Sequence, residues 1–116
     1  MHPLGEVMGN HVLGNPVRLG IMLYLLPRGK VLFIELQRVL DLTPGNLDSH
    51  LRTLEKNGYI KMKKIIHDRP RTAIFITSTG IVETRRYVHA LRNLLDSVSE
   101  EDTGDLDSMS GQSDKV

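Results

Sequence analysis

The stretch PGNLDSHLRTLEKN, residues 44–57, lays short polar side chains along one face of a predicted helix. At 100° per residue, Leu47, Leu51 and Leu54 mark an inward line, while Gly45, Ser49, Arg52 and Lys56 lie nearly opposite. Asp48 and Thr53 fall on the flanks. A surface helix with no task is usually dressed in Lys, Glu and Gln; this one is thin at its N-terminal end, so another body can come close. The chemistry on offer is hydrogen bonding and ion pairing. Ser49 and Thr53 can donate to bases or phosphates, and Arg52 can span guanine O6 and N7. The first-turn N–H groups that follow Thr43 and Pro44 suit a phosphate. A major groove about 12 Å wide admits such a helix.

A second basic set follows. Lys61, Lys63 and Lys64 lie along a predicted strand, and Arg69 and Arg71 flank Pro70 at a predicted turn. Lysines on an edge strand also guard against self-association, but that leaves the turn arginines unexplained. A hairpin that reaches the DNA backbone or an adjacent minor groove explains both. The expectation is therefore that Gly45, Asn46, Ser49, Arg52 and Thr53 read a major groove. Lys56, Lys61, Lys63, Lys64, Arg69 and Arg71 would then hold phosphates or enter the minor groove, with Thr43 and Pro44 at the helix start.

Other chemistries find little support. The chain has no cysteine, which excludes disulfides, zinc–thiolate sites and cysteine nucleophiles. Its five histidines are scattered without the i, i+4 pairing of a helical metal site. His50, between the leucine line and the groove face, suits a partly buried hydrogen-bonded role. Glu83 and Asp96 are too far apart on one helix to form an acid–base pair, and there is no glycine-rich phosphate loop or serine elbow. No enzyme activity, metal or cofactor is expected. Aromatics are few, and only Tyr59 falls near the basic stretch, which argues against stacking on single strands.

The positioning elements can be read from periodicity. Leu4, Val7, Met8, His11 and Val12 give an amphipathic helix over 4–12. Asn15 caps a second, with Pro16 in its first turn, and this apolar helix ends at the Pro-Arg-Gly of 27–29. Residues 30–33 make a short strand. A short helix, 34–40, points Leu36, Val39 and Leu40 inward, and Asp41-Leu42-Thr43 turns into the helix capped by Thr43. Asn57-Gly58 ends that helix. Alternation of Ile60 and Met62 with lysines predicts a strand, 67–71 a turn and 72–77 the returning strand. A long helix then runs to about Val98, with Ile81, Val88, Leu91, Leu95 and Val98 on one side and Tyr87 and Leu94 widening its apolar face. The fold class is mainly α with a small antiparallel β-hairpin, a winged helix-turn-helix.

Charge divides the chain. Residues 1–98 carry 14 Lys and Arg against eight acids, whereas residues 99–116 carry one Lys against six acids. Residues 1–98 are read as a single DNA-binding and dimerisation domain, and 99–116, polar with little to bury, as a disordered acidic tail. The N-terminus lacks a signal pattern and the longest apolar run, residues 21–26, is too short to span a bilayer. A soluble cytoplasmic protein with no membrane partner is expected.

The combination of Gly45-Asn46-Leu47, His50-Leu51, Pro70-Arg71-Thr72 and Thr77 with Gly80 resembles the MarR/ArsR-like winged-helix transcriptional regulators, over roughly residues 13–97. The resemblance is nearest to their small single-domain bacterial and archaeal members. It implies sequence-specific binding of double-stranded DNA by a homodimer whose first and last helices form the interface. Metal sensing by ArsR-type cysteines does not carry over. Where the family often caps the short helix with Ser or Thr, Ile34 stands here. The dimer also has an independent argument, because the last helix is apolar over more than the ~100° that one contact needs. Its expected interface is Leu4, Val7, Met8, His11, Tyr87, Val88, Leu91, Leu94, Leu95 and Val98. An alternative is a winged helix used as a protein–protein interaction module in a transcription complex. A small-molecule effector stays open, with no polar constellation to identify it.

Overall fold

The computed structural model describes residues 2–66 and 68–110, with side chains described as far as Ser99. The elements are α1 (Pro3–Gly9), α2 (Pro16–Leu25), β1 (Lys30–Leu32), α3 (Phe33–Leu40), α4 (Pro44–Lys56), β2 (Ile60–Ile66), β3 (Pro70–Ile76) and α5 (Ser78–Ser110). The core gathers Leu13, Ile21, Met22 and Leu25 around α2, Leu36 of α3, and Leu47, Leu51 and Leu54 of α4, all with no accessible surface. Ile60 and Ile74 close it from the sheet.

Local capping explains the second and fourth helices as expected. Asn15 Oδ1 accepts from Val17 N and Arg18 N at 2.9 and 3.1 Å, and Thr43 Oγ1 accepts from Asn46 N at 3.2 Å. Pro16 and Pro44 occupy first-turn positions where a missing N–H costs nothing. Gly58, at φ +80°, ends α4 in the left-handed region.

Several boundaries differ from the sequence expectation. α1 stops at Gly9 rather than Val12, because Asn10 leaves helical geometry and its Oδ1 accepts from Leu13 N at 2.8 Å. That local bond turns 11–14 into a linker. α3 begins at Phe33, its N-cap is Leu32 without a side-chain cap, and Ile34 lies inside the helix. Val39 is exposed rather than inward, since this short helix seats only Leu36 fully.

The hairpin is part of a three-stranded sheet in the order β1-β3-β2, antiparallel throughout, with Val31 opposite Ile74 and Met62 opposite Ile74 from the other side. The wing turn is also tighter than expected. Ile66 pairs with Pro70 and Ile65 with Arg71, so Pro70 and Arg71 belong to β3. Proline is tolerated there as the first residue of a strand. α5 continues past Val98 to Ser110, into the segment read as a tail; residues 111–116 lie outside the described residues.

The inward face of α5 matches the expected apolar face in part: Tyr87 is buried and Leu91 packs on the core. Gly80, Thr84, Tyr87 and Ala90 are buried, while Leu95 and Val98 are 61% and 54% exposed. Gly80 lets the start of the helix approach Tyr59 closely, while Leu95 and Val98, on the same side by helical period but further along, are left exposed by the protomer.

Candidate nucleic-acid interface

α4 sits with its leucine line locked in the core and its opposite face open. Thr43, Pro44, Gly45, Asn46, Ser49, Arg52 and Lys56 are exposed, and Thr53 is half-buried. A Cβ added at Gly45 would meet nothing within 4 Å, so the first turn presents bare backbone to its surroundings. Thr53 Oγ1 donates to Ser49 O at 3.3 Å, and Asn57 Nδ2 to Thr53 O at 2.8 Å. Arg52 Nε donates to Asp48 Oδ2 at 2.7 Å. That bond, with the charge of Asp48 behind it, holds the guanidinium pKa above its ordinary value.

The wing is tied to this helix. Met62 N donates to Glu55 Oε2 at 3.3 Å, joining the last turn of α4 to β2. Between them lies an open groove of about 420 Å³ whose lining includes Asp48, Arg52, Glu55, Met62, Lys63 and Lys64. Strand alternation divides the lysines that the sequence set in one row. Lys61 lies opposite Phe75 and Lys63 opposite Ala73 on one face, whereas Lys64 lies opposite Thr72 on the other. Lys63 Nζ is 5.8 Å from the Phe75 ring centroid, a cation–π distance, and Lys30 Nζ reaches the same ring at 5.9 Å.

At the tip, Arg69 is exposed, while Arg71 is drawn back. The Arg71 Nη2 and Nε donate to Asp68 Oδ1 at 3.3 and 3.4 Å. Backbone N–H groups first, and Arg71 second, hold the Asp68 carboxyl below its usual range. Ile66, 76% exposed, stands beside the tip and had no place in the sequence expectation. Tyr59, read as lying near the basic stretch, is buried in the core.

Behind α4, Arg18 joins three segments. Its Nε donates to Val12 O at 2.9 Å and its Nη2 to His11 O at 3.2 Å. Its Nη1 lies 3.3 Å from His50 Nδ1, which requires the tautomer with the proton on Nε2. His50 is thus the half-buried, hydrogen-bonded residue expected. Burial, and then the Arg18 charge, push its pKa below the ordinary 6.5.

The residues expected at an interface between copies fall into two groups. Tyr87 is buried and Val7 and Leu91 pack on the core, so they serve the protomer itself. Leu4 and Met8 of α1 are 49% and 69% exposed, and with Leu95 and Val98 of α5 they leave apolar surface uncovered on two helices that pack on each other. His11 is exposed, and Val88 and Leu94 are half-buried. Among the described residues, no group of three His, Cys, Asp or Glu is placed to hold a metal, and no helix is long and apolar enough to cross a membrane.

Residues 17–95 match the family model described as the winged helix DNA-binding domain. A transcriptional regulator homologue of Pyrococcus horikoshii OT3 shares 55% identity and superposes with a TM-score of 0.80, over 84% of this chain and 98% of that one. An uncharacterized protein of Methanocaldococcus jannaschii is 34% identical over 84 residues, 72% of this chain and 91% of that protein. A structure described as a MarR-family transcriptional regulator, from Enterococcus faecalis V583, has 22% identity and a TM-score of 0.66 over 79% of this chain and 83% of its own. It shares the fold.

Proposed function

The chain belongs to the winged helix DNA-binding domain family, and from that premise we propose that it is a homodimeric transcriptional regulator that reads double-stranded DNA. α4 enters the major groove with Gly45, Asn46, Ser49, Arg52 and Thr53 toward the bases, while Thr43 and Pro44 bring the first-turn N–H groups to a phosphate. Lys56, Lys61, Lys63, Lys64 and Arg69 take the backbone or the adjacent minor groove, and Arg71 joins them by releasing Asp68. The observation that carries this reading is the outward face of α4, bare at Gly45 and basic at Arg52, continuous with the lysine-lined groove to the wing.

Two copies meet through the uncovered side chains of α1 and α5, chiefly Leu4, Met8, Leu95 and Val98. A twofold dimer sets its two reading helices about one turn of DNA apart, roughly 34 Å. Such a protein acts on chromosomal DNA in the cytoplasm.

The test is selection of bound sites from random duplex DNA at two salt concentrations. One pseudo-palindromic site should be enriched, with affinity falling steeply as salt rises. Arg52→Ala should weaken that site by roughly five- to 150-fold and relax preference at one base, the range of a good bidentate contact. Lys63→Ala should weaken all sequences alike and flatten the salt slope by about one unit. Weak binding without enrichment would refute the regulator and favour a protein-docking module.

A further inference from the structure

We propose that Asp48 is a positioning residue for base recognition: it holds Arg52 by Nε so that the terminal Nη1–Nη2 edge is aimed at a guanine in the operator. The inference rests on the major-groove reading above and extends it to a residue outside the expected contact set.

The geometry carries the argument. Asp48 Oδ2 accepts from Arg52 Nε at 2.7 Å, at the short end for a charge-assisted bond. A guanidinium has two useful edges, and this contact occupies Nε alone, leaving the Nη1–Nη2 edge for another partner. That edge carries two parallel donors that can span guanine O6 and N7. Arg52 keeps 69% of its side chain exposed, so the edge is reachable.

Stability does not account for the pair. An ion pair between exposed side chains one helical turn apart is worth little to the fold. Against that small gain, a carboxylate on the flank of a face turned toward phosphates repels the ligand. A role in binding offsets that repulsion. An arginine loses freedom at several rotatable bonds when it docks on a base, and an acceptor already in place removes part of that cost. Arg71 behaves differently. Asp68 spans its Nε and Nη2 at 3.4 and 3.3 Å, and the arginine side chain is only 27% exposed.

The experiment uses the full chain and the site enriched by selection, with the guanine under Arg52 replaced by each other base. Wild type, Asp48→Ala, Asp48→Asn and Arg52→Ala are compared for affinity, base preference and salt slope. Wild type should prefer guanine by roughly five- to 150-fold. Asp48→Ala should lose most of that preference, approaching Arg52→Ala, with its salt slope and unfolding midpoint near those of wild type. Asp48→Asn keeps an oxygen where Nε can donate and should retain an intermediate preference.

If Asp48→Ala instead tightens binding to every sequence alike and keeps the guanine preference, Asp48 is only a repelling charge and the inference fails while the regulator reading stands. The inference fails in the same way if Arg52→Ala changes no base preference. Wild type that selects no site would remove the regulator reading itself, and this inference with it.

Discussion

Replacing Gly80 by alanine should destabilise the protein although alanine is the better helix former. In an unobstructed helix the exchange gains about 0.5–1 kcal/mol. At Gly80 the new Cβ would lie 2.2 Å from Tyr59 O, 3.0 Å from Tyr59 C and 3.1 Å from Ile76 Cγ1. The obstacle is backbone, and it is held in place: Tyr59 O accepts from Thr77 N at 3.0 Å and Tyr59 is 8% exposed. Relief therefore requires the start of α5 to move outward by about 1 Å, a shift that opens neighbouring bonds. Those at stake are Thr77 N to Tyr59 O and Thr77 Oγ1 to Gly58 O, the latter 2.6 Å. Losing two hydrogen bonds costs about 1 kcal/mol each, and overpacking adds about 1–3 kcal/mol. After the helix gain, the net is a loss of about 2–4 kcal/mol. For a domain of this size that lowers Tm by about 10–20 °C. Urea and thermal unfolding at one fixed protein concentration measure it, with Gly45→Ala as the control. Gly45 has open space around it, so its alanine variant should match or exceed wild type. A Gly80→Ala protein as stable as wild type would refute the close-approach argument.

Three further outcomes are expected. Thr43→Ala removes the acceptor for Asn46 N and should cost about 1 kcal/mol, with Thr43→Ser restoring most of it in the same urea titration. The His50 pKa is lowered in the folded protein, so as pH falls through about 6.5 the unfolded chain takes up the proton first. The stability tied to neutral His50 is thus complete above that pH and lost as pH drops toward the folded pKa; unfolding titrations across pH 5–8 should show less decline for His50→Gln. The double variant Met8→Asp, Leu95→Asp places charges at positions 69% and 61% exposed. It should dissociate the proposed dimer in sedimentation while leaving the circular dichroism of the protomer unchanged; a dimer that survives would place the interface elsewhere.

How much of the molecule was legible beforehand depends on the distance over which each signal acts. The caps at Asn15 and Thr43, the stop at Gly58 and the line Leu47–Leu51–Leu54 are decided within one or two helical turns, by side chains that bond their own backbone or repeat at the helical period. They needed no tertiary information, and the outward face of α4 followed from them. The Asp48–Arg52 pair also lies within one turn and its i, i+4 spacing was readable, but spacing alone does not say which edge of the guanidinium is used.

What the sequence by itself determined is therefore the capped helix α4, the hairpin that follows it and the excess of positive charge between them. The tertiary structure decided the rest, through pairings between distant segments. β1 is three residues long and exists by pairing with β3, some forty positions later. The carbonyl of Tyr59 leaves no room for a Cβ at Gly80, and the core packs on α5 as far as Leu91, so Leu95 and Val98 further along stay exposed. Arg18 meets His50 across 32 residues and ties the linker after α1 to α4. Periodicity reports that a face is apolar or polar; only the packed neighbours decide which of its residues are covered, because burial is a property of two surfaces and the chain presents one residue at a time.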